Sequence, residues 1–122
     1  MVSMAGGMAL AGWLPVCNTY GVFFKRAQEG VHINQSQHLQ AVNEPGSAGD
    51  AVVRKHSCRV LYAGHYSGLC YHTDGKSHQS PHDMSTMLAM PGLVCVDPTT
   101  PQHAASLLDW AVAPENNTSV YF

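Results

Sequence analysis

The chain has 122 residues, of which 45% are hydrophobic and 11% are charged, and its formal net charge is −2. A chain of this length can bury about two thirds of its surface in one hydrophobic core. The composition excludes disorder over most of the chain, because disorder requires low hydrophobicity and high charge. Six lysines and arginines are too few and too scattered to neutralise a nucleic-acid backbone, which argues against a nucleic-acid partner. We expect a single domain, residues 1–122, with part of its sparsely charged surface covered by another protein.

The four cysteines argue against a disulfide framework and against a zinc site, since no C-x-x-C pair occurs among them. Three of the four lie in short apolar runs, where a free cysteine behaves as a small buried hydrophobic residue. We therefore expect reduced thiols and a cytoplasmic protein. No apolar run approaches the roughly 18–20 residues of a membrane span, so no membrane association is expected. The apolar N-terminal segment also lacks the basic start of a signal peptide.

The first half of the chain predicts a helix, a strand, a second helix and a loop. Residues 1–12 are helical in pattern, with no N-cap and no strand before them, which indicates a domain incomplete at its N-terminus. Residues 15–19 are typical of a short strand, and residues 22–34 have the apolar spacing of a helix. Residues 36–56 are polar and rich in turn formers, which predicts a variable loop. Small residues share one face of the first helix and allow close packing: Ala5, Gly6, Ala9 and Gly12.

The clearest strand pattern in the second half covers residues 58–63 and ends at Gly64. A helix start follows after a long loop. Ser80 has the side chain of an N-cap and Pro81 suits the first helical position. Asp83 would then face the positive end of the helix dipole. We therefore expect this helix to begin at Ser80.

The remaining pattern is strand, helix, strand. Residues 93–96 are continuously apolar, Thr100 is the expected N-cap of a helix over residues 101–113, and residues 119–122 form a last strand. Strands that alternate with helices, and that are apolar throughout, predict a mostly parallel sheet with both faces covered. The predicted fold is therefore a three-layer α/β/α sandwich. Ligands of such sheets bind outside the carboxyl ends of the strands.

Residues 64–79 lie at the carboxyl end of a predicted strand and crowd three histidines and an aspartate onto a glycine-rich loop. A site for a polar ligand is one interpretation, and a solvated loop is the other. A zinc site from His72, His78 and His82 has a spacing that matches no common zinc arrangement. The chain has no G-x-S-x-G nucleophile elbow and no phosphate-binding G-x-G-x-x-G loop.

Several segments together resemble the transketolase family. Gly64-His65, followed by Thr-Asp-Gly-Lys-Ser-His-Gln at residues 73–79, resembles the family's active-site loop with its D-G-x-(S/T)-H-Q motif. Residues 1–12 resemble the helix after the family's E-Q-N motif, and residues 15–26 are similar to its strand and T-F-x-x-F-x-x-R stretch. Residues 87–97 are similar to its M-R-A-(I/L)-P-N segment. The resemblance covers nearly the whole chain in the right order.

The resemblance implies the pyrimidine-binding domain of a thiamine-diphosphate enzyme, with the corresponding fold. It implies that Phe23 lies against the aminopyrimidine ring of the cofactor, with Tyr20 nearby. His65 would reach the phosphate or a hydroxyl of a sugar phosphate substrate. Asp74 and His78 would hydrogen-bond the hydroxyls next to the reacting carbonyl, and His78 would also move protons as the catalytic residue.

Two departures from the family pattern limit what the chain could do alone. The family's catalytic glutamate would stand just before Met1, and neither Glu29 nor Glu44 can replace it. The pyrophosphate-binding domain and its magnesium motif have no counterpart, so a partner domain or subunit would hold Mg²⁺ in a homo- or hetero-oligomer. We expect the isolated chain to be inactive.

The reaction implied is the transfer of a two-carbon ketol unit from a ketose to an aldose. Two alternatives remain open. One is a related thiamine enzyme, either a deoxyxylulose-phosphate synthase or a 2-oxoacid dehydrogenase subunit. The other is a non-catalytic truncated paralogue that binds a partner without turnover.

Overall fold

The computed structural model describes residues 1–38 and 58–122 of the chain. Helices and strands alternate along the described residues, as the sequence predicts. Short 3₁₀ turns occupy Lys25–Ala27 and Gly75–His78. The helices are α1 Val2–Leu10, α2 Gly21–Phe24, α3 Gln28–His38, α4 Asp83–Leu88 and α5 Pro101–Val112, and the strands are β1 Val16–Tyr20, β2 Leu61–His65, β3 Leu93–Cys95 and β4 Ser119–Tyr121.

The four strands form one parallel sheet in the order β1-β2-β4-β3. Because side chains alternate along a strand, neighbours in register share a face of the sheet. Cys17, Tyr62 and Tyr121 share one face in this way, and Leu61 and Val120 share the other. All five side chains are almost completely buried.

Helices cover both faces of the sheet, which confirms the predicted α/β sandwich. The larger core contains buried residues of α1, α2, α3 and α4 on the face of Tyr62 and Tyr121. The smaller core joins Ala111 of α5 to Leu61 and Val120 on the other face. Within the described residues, no helix combines the length and the apolar character that crossing a bilayer would require.

The helix boundaries differ from the sequence prediction in two places. Ser80 is not an N-cap. It exchanges two backbone hydrogen bonds with Gly68, of 2.8 and 3.0 Å, and α4 begins only at Asp83. The expected helix over residues 22–34 is divided by the 3₁₀ turn, and α3 continues to His38. The rest of the expected loop at residues 36–56 lies outside the described residues. The N-cap at Thr100 is confirmed, since its side chain accepts a hydrogen bond from the His103 amide at 3.1 Å.

The strand boundaries shift for a reason that lies in the pairing. The sequence predicts β2 at residues 58–63, whereas the strand spans Leu61–His65, because Gly64 and His65 pair with Thr19 and Tyr20 of β1. Glycine can continue a strand where both neighbours hold its backbone in place. The carboxyl end of the sheet therefore lies two residues further along than the sequence indicated.

Helix α1 packs closely on α3 through one of its small residues. Gly6 is buried, and a Cβ atom at this position would overlap the side-chain amide of Asn34. That amide donates to the Val2 carbonyl and to the Tyr62 hydroxyl, both at 3.1 Å. The expected packing face is confirmed for Ala5, Gly6 and Ala9, which are buried. Gly12 does not belong to it, because it lies in an exposed turn with a φ of +90°.

Two adjacent glycines of α1 allow a matched test of this contact. We expect Gly6→Ala to lower the free energy of unfolding by about 1–3 kcal/mol, since the new methyl group must displace Asn34. Gly7 has no atom near its Cβ position, so Gly7→Ala should raise the stability by about 0.5–1 kcal/mol through helix propensity. Denaturant unfolding of both variants measures the difference. Equal effects at the two positions would contradict the close α1–α3 contact.

Candidate functional site

The candidate site lies where β1 and β2 end side by side. Tyr20 and His65 are the last residues of these strands and are partners in the parallel register. The chain leaves Tyr20 directly into α2, which carries Phe23 and Phe24. It leaves His65 into a loop that ends at the 3₁₀ turn Gly75–His78. The register of two parallel strands thus brings together two segments more than 40 positions apart in the sequence.

Five side chains form an aromatic cluster at this edge: Tyr20, Phe23, Tyr66, Tyr71 and His78. Tyr20 is at its centre. Its ring is parallel to that of Phe23 at 5.8 Å, with an interplanar angle of 3°. The Tyr66, Tyr71 and His78 rings meet it edge to face at 5.0, 5.5 and 5.7 Å. These distances are typical of favourable aromatic pairs.

Phe23 and Phe24 have different surroundings, although they are adjacent in α2. Phe24 is fully buried in the larger core, where its ring meets those of Tyr62 and Tyr121 edge to face. Phe23 is 36% exposed and contacts the imidazole of His78 at 5.4 Å. Phe24 is therefore a core residue, whereas Phe23 presents ring surface at the site.

His78 is held between a hydroxyl and a carboxylate. Ser77 Oγ lies 2.9 Å from its Nδ1, and an Asp74 carboxylate oxygen lies 3.9 Å from its Nε2. A carboxylate only accepts hydrogen bonds, so Nε2 is the ring nitrogen that presents a proton toward Asp74. The Ser77 hydroxyl also donates to the Asp74 carbonyl at 3.4 Å, so Ser77 links the imidazole to the backbone of the same turn.

The phenol of Tyr71 is kept protonated by its neighbours. Its hydrogen bond with Tyr20 and the nearby Asp74 carboxylate raise the pKa of Tyr71 to about 12. Tyr71 therefore contributes a neutral ring and a hydroxyl donor to the aromatic cluster over the whole physiological pH range. The sequence did not single out Tyr71 or Tyr66. The available signal was that both follow a predicted strand end within the same glycine-rich loop.

His65 has different surroundings from the other predicted site residues, although it is the register partner of Tyr20. Tyr20, Phe23, Asp74 and His78 lie together, as described above. His65 instead lines an apolar cavity of about 460 Å³ between α5 and the sheet. Leu61, Val96 and Leu108 also line this cavity, which offers little polar chemistry. We therefore assign the candidate site to the aromatic cluster and the adjacent Asp74, and not to the cavity.

Metal ligands are not grouped in the part of the chain that the structure describes. Over residues 1–38 and 58–122, no three side chains of His, Cys, Asp or Glu are arranged to hold a metal ion. The four cysteines are all free, with Cys17 and Cys58 buried. Burial raises the pKa of both thiols, which makes them poor metal ligands and nucleophiles.

Because Gly64 has no side chain, the hydroxyl end of the Tyr121 ring can occupy the space next to it, beneath the site. A Cβ atom at Gly64 would overlap the Tyr121 hydroxyl and lie within 3 Å of two further ring atoms. Tyr121 is 1% exposed, and its hydroxyl donates to the Asp83 carboxylate at 2.9 Å. Burial and this carboxylate raise the pKa of Tyr121, so it stays protonated and able to donate.

This contact predicts that the effects of Gly64→Ala and of a shortened side chain at position 121 on the free energy of unfolding are not additive. We expect Gly64→Ala to lower the free energy of unfolding by about 1–3 kcal/mol in the native background, because the tyrosine ring must move. In a Tyr121→Leu background the same substitution should cost clearly less. A double-mutant cycle by denaturant unfolding measures this coupling. An equal cost in both backgrounds would show that the Gly64–Tyr121 contact does not limit the size of residue 64.

Comparisons with known proteins bear on the whole chain. Residues 1–122 match the model of the family described as "Transketolase, pyrimidine binding domain". The 1-deoxy-D-xylulose-5-phosphate synthase of Clostridium tetani is 30% identical over 122 residues, which is 99% of this chain and 16% of that protein.

Two further relatives with the same name show similar coverage. The Treponema pallidum (strain Nichols) protein is 27% identical over 121 residues, covering 99% of this chain and 16% of its own length. The Myxococcus xanthus protein is 28% identical over 121 residues, covering 99% and 18%. The chain thus spans less than a fifth of the length of these relatives. With its parallel α/β sheet and a family match over every residue, the chain belongs to the transketolase pyrimidine-binding domain family.

Proposed function

We propose that this chain is the pyrimidine-binding part of a thiamine-diphosphate-dependent enzyme that transfers a two-carbon unit to a sugar acceptor. The observation that carries the proposal is the aromatic cluster at the carboxyl edge of β1 and β2. It combines exposed ring surface on Phe23 with the Asp74–His78 pair. Family membership supports the cofactor, since the matched domain is named for pyrimidine binding.

The side chains present fit the pyrimidine ring of the cofactor. Phe23 is partly exposed, and the parallel Tyr20 ring extends its flat surface. A heteroaromatic ring gains favourable offset stacking on such a surface. Phe23 and Tyr20 would therefore hold the pyrimidine, while the hydroxyl of Tyr20 is engaged by Tyr71.

When bound, thiamine diphosphate supplies the carbanion chemistry by which a bond next to a carbonyl is broken and formed. The residues of this chain orient the donor and manage protons. His78 donates a hydrogen bond from Nε2 to an oxygen of the substrate that supplies the two-carbon unit, and it can transfer a proton to or from that oxygen. Asp74 accepts hydrogen bonds from a donor hydroxyl. Ser77 keeps the imidazole in the orientation that both roles require.

The proposal assigns the diphosphate and Mg²⁺ to a partner. Residues 1–24 contain no charged side chain. Met4 and Met8 on α1 are 70% and 41% exposed, and Met1 and Trp13, which flank this helix, are 67% and 69% exposed. A helix that is apolar on every side is normally buried. These side chains support a pyrophosphate-binding domain or subunit as the partner, within a homo- or hetero-oligomer.

Two donor classes remain as candidates. The sequence resemblance favoured a ketose phosphate donor, as in transketolase. The names of the relatives favour the second candidate, a 1-deoxy-D-xylulose-5-phosphate synthase. The two candidate enzymes differ in whether their donor substrate carries hydroxyls next to its carbonyl. These hydroxyls are the groups that Asp74 and His78 would bind. The free cysteines support the cytoplasm as the compartment of either enzyme.

His78 is the first side chain to test, in the complex that contains the pyrophosphate-binding part. We expect His78→Ala to lower kcat/KM by about ten- to a thousand-fold, or about 1.4–4 kcal/mol, because a positioned proton-transfer group is lost. His82→Ala is the matched control. His82 is exposed and outside the aromatic cluster, so its loss should leave kcat/KM nearly unchanged. Equal losses from both variants would remove His78 from the proposed mechanism.

Asp74 and Phe23 separate donor recognition from cofactor binding. Asp74→Ala should lower kcat/KM for donors that carry the hydroxyl it accepts, and much less for donors that lack it. Phe23→Ala should instead weaken cofactor binding by a similar factor with every donor. Steady-state kinetics with hydroxylated and deoxygenated donors measure both effects. If Asp74→Ala lowers kcat/KM by the same factor for both kinds of donor substrate, the loop does not recognise the hydroxyls of the donor.

A further inference from the structure

A buried carboxylate lies directly beneath the candidate site. Asp83 is 3% exposed, although it is the first residue of α4. A single oxygen of its side chain, Oδ2, accepts hydrogen bonds from Ser67 Oγ at 2.6 Å and from the Tyr121 hydroxyl at 2.9 Å. A buried charged group lowers the free energy of unfolding unless hydrogen-bond partners compensate for its lost hydration. Neither the cofactor nor the donor chemistry proposed above uses this carboxylate.

The first site segment passes over this carboxylate. A Cβ atom at Gly21 would lie 2.7 Å from Asp83 Oδ2 and 3.1 Å from the Tyr121 hydroxyl. Gly21 follows Tyr20 directly and is the first residue of α2, which carries Phe23. The backbone turn that presents Tyr20 and Phe23 therefore rests on Asp83 with no side chain in between.

The second site segment is bound to the same oxygen. Ser67 follows Tyr66, whose φ of +54° is in the left-handed region that a tyrosine rarely adopts. This strained residue places its ring 4.3 Å from Tyr71 and 5.0 Å from Tyr20. Such a conformation persists only where its surroundings hold it. The backbone hydrogen bonds of Gly68 with Ser80 hold the loop on one side, and the Ser67–Asp83 hydrogen bond is the side-chain restraint next to Tyr66.

We propose that Asp83 is a positioning residue that sets the geometry of the aromatic cluster. It acts through Ser67 on Tyr66 and through close contact with Gly21 on the Tyr20–Phe23 turn. An oxygen acceptor is needed at this position because one atom accepts from two hydroxyls and lies in the space left by Gly21. The geometry itself does not depend on the proposed function, whereas the consequence for cofactor binding does.

The test must separate a positioning role from general stabilisation of the core. Tyr62→Phe is a suitable control, because it removes a buried tyrosine hydroxyl that is hydrogen-bonded to Asn34 on the same face of the sheet. Ser67→Ala removes one donor to Asp83 from an exposed residue. Ser67→Thr restores a hydroxyl at that position. Asp83→Leu keeps a side chain of similar size but removes the oxygen that accepts both hydrogen bonds.

The measurement is the set of nuclear Overhauser contacts of the Tyr66 ring with the Tyr20 and Tyr71 rings, recorded on the full chain. We expect these contacts to be lost in Ser67→Ala and in Asp83→Leu, and to be kept in Ser67→Thr and in Tyr62→Phe. Retention of the contacts in Ser67→Ala would overturn the proposal. Their loss in Tyr62→Phe would also overturn it, because the contacts would then report only on overall stability. If Asp83→Leu does not fold, the two Ser67 variants decide the outcome.

A second readout links the geometry to the proposed function. In the complex with the pyrophosphate-binding part, Ser67→Ala should raise the KM for thiamine diphosphate several-fold, and Ser67→Thr should restore it. Lost ring contacts with an unchanged KM would leave Asp83 as the positioning residue of the aromatic cluster but would contradict the cofactor site proposed there. Retained ring contacts would overturn the role of Asp83 whatever the KM.

Discussion

The hydrogen bond from Tyr121 to Asp83 is the interaction on which the candidate site depends. It joins the last strand of the sheet to the first turn of α4, and it does so under both segments that carry the aromatic cluster. Gly21 and Gly64 are the residues whose missing side chains make room for it. The pair is almost completely buried, so a carboxylate and a phenol are held in the core by each other and by Ser67. Larger residues at either glycine would act on the site by displacing this pair.

The parallel register of β1 and β2 supplies the second constraint. It fixes Tyr20 beside His65 and thereby sets where the two site segments leave the sheet. The carboxyl ends of parallel strands are where open α/β sheets bind their ligands. In this chain that edge carries stacked aromatic rings with an imidazole and a carboxylate beside them, which is a surface suited to a flat, polar ring. The cavity beneath α5 has a mostly apolar lining and lacks the stacked rings of this edge.

The fold class could be predicted from the sequence because it rests on local patterns. The expected site residues came from the family resemblance, and the roles of Tyr20, Phe23, Asp74 and His78 stay predictions, although the structure brings these four side chains to one edge of the sheet. Alternating apolar strands and helices indicated the sandwich, and the Thr100 N-cap depends only on its own neighbours. Ser80 was misjudged because its competing partner, Gly68, is twelve residues away and belongs to a loop without periodicity. Tyr66 and Asp83 were missed as parts of the site for the same reason: their roles arise from contacts between segments that no local pattern reports.

The contact between Gly64 and Tyr121 has a consequence for how this domain can diverge. Residue 64 borders the candidate site, whereas residue 121 is on a different strand and far from it in sequence, yet the two share one volume. A side chain can be gained at position 64 only if atoms are lost at position 121, and the carboxylate at position 83 then loses its phenolic donor. The size of residue 64 therefore limits the size of residue 121, and residue 121 in turn determines whether the carboxylate at position 83 has a phenolic donor. In related domains, a residue larger than glycine at position 64 should be accompanied by a smaller residue than tyrosine at position 121.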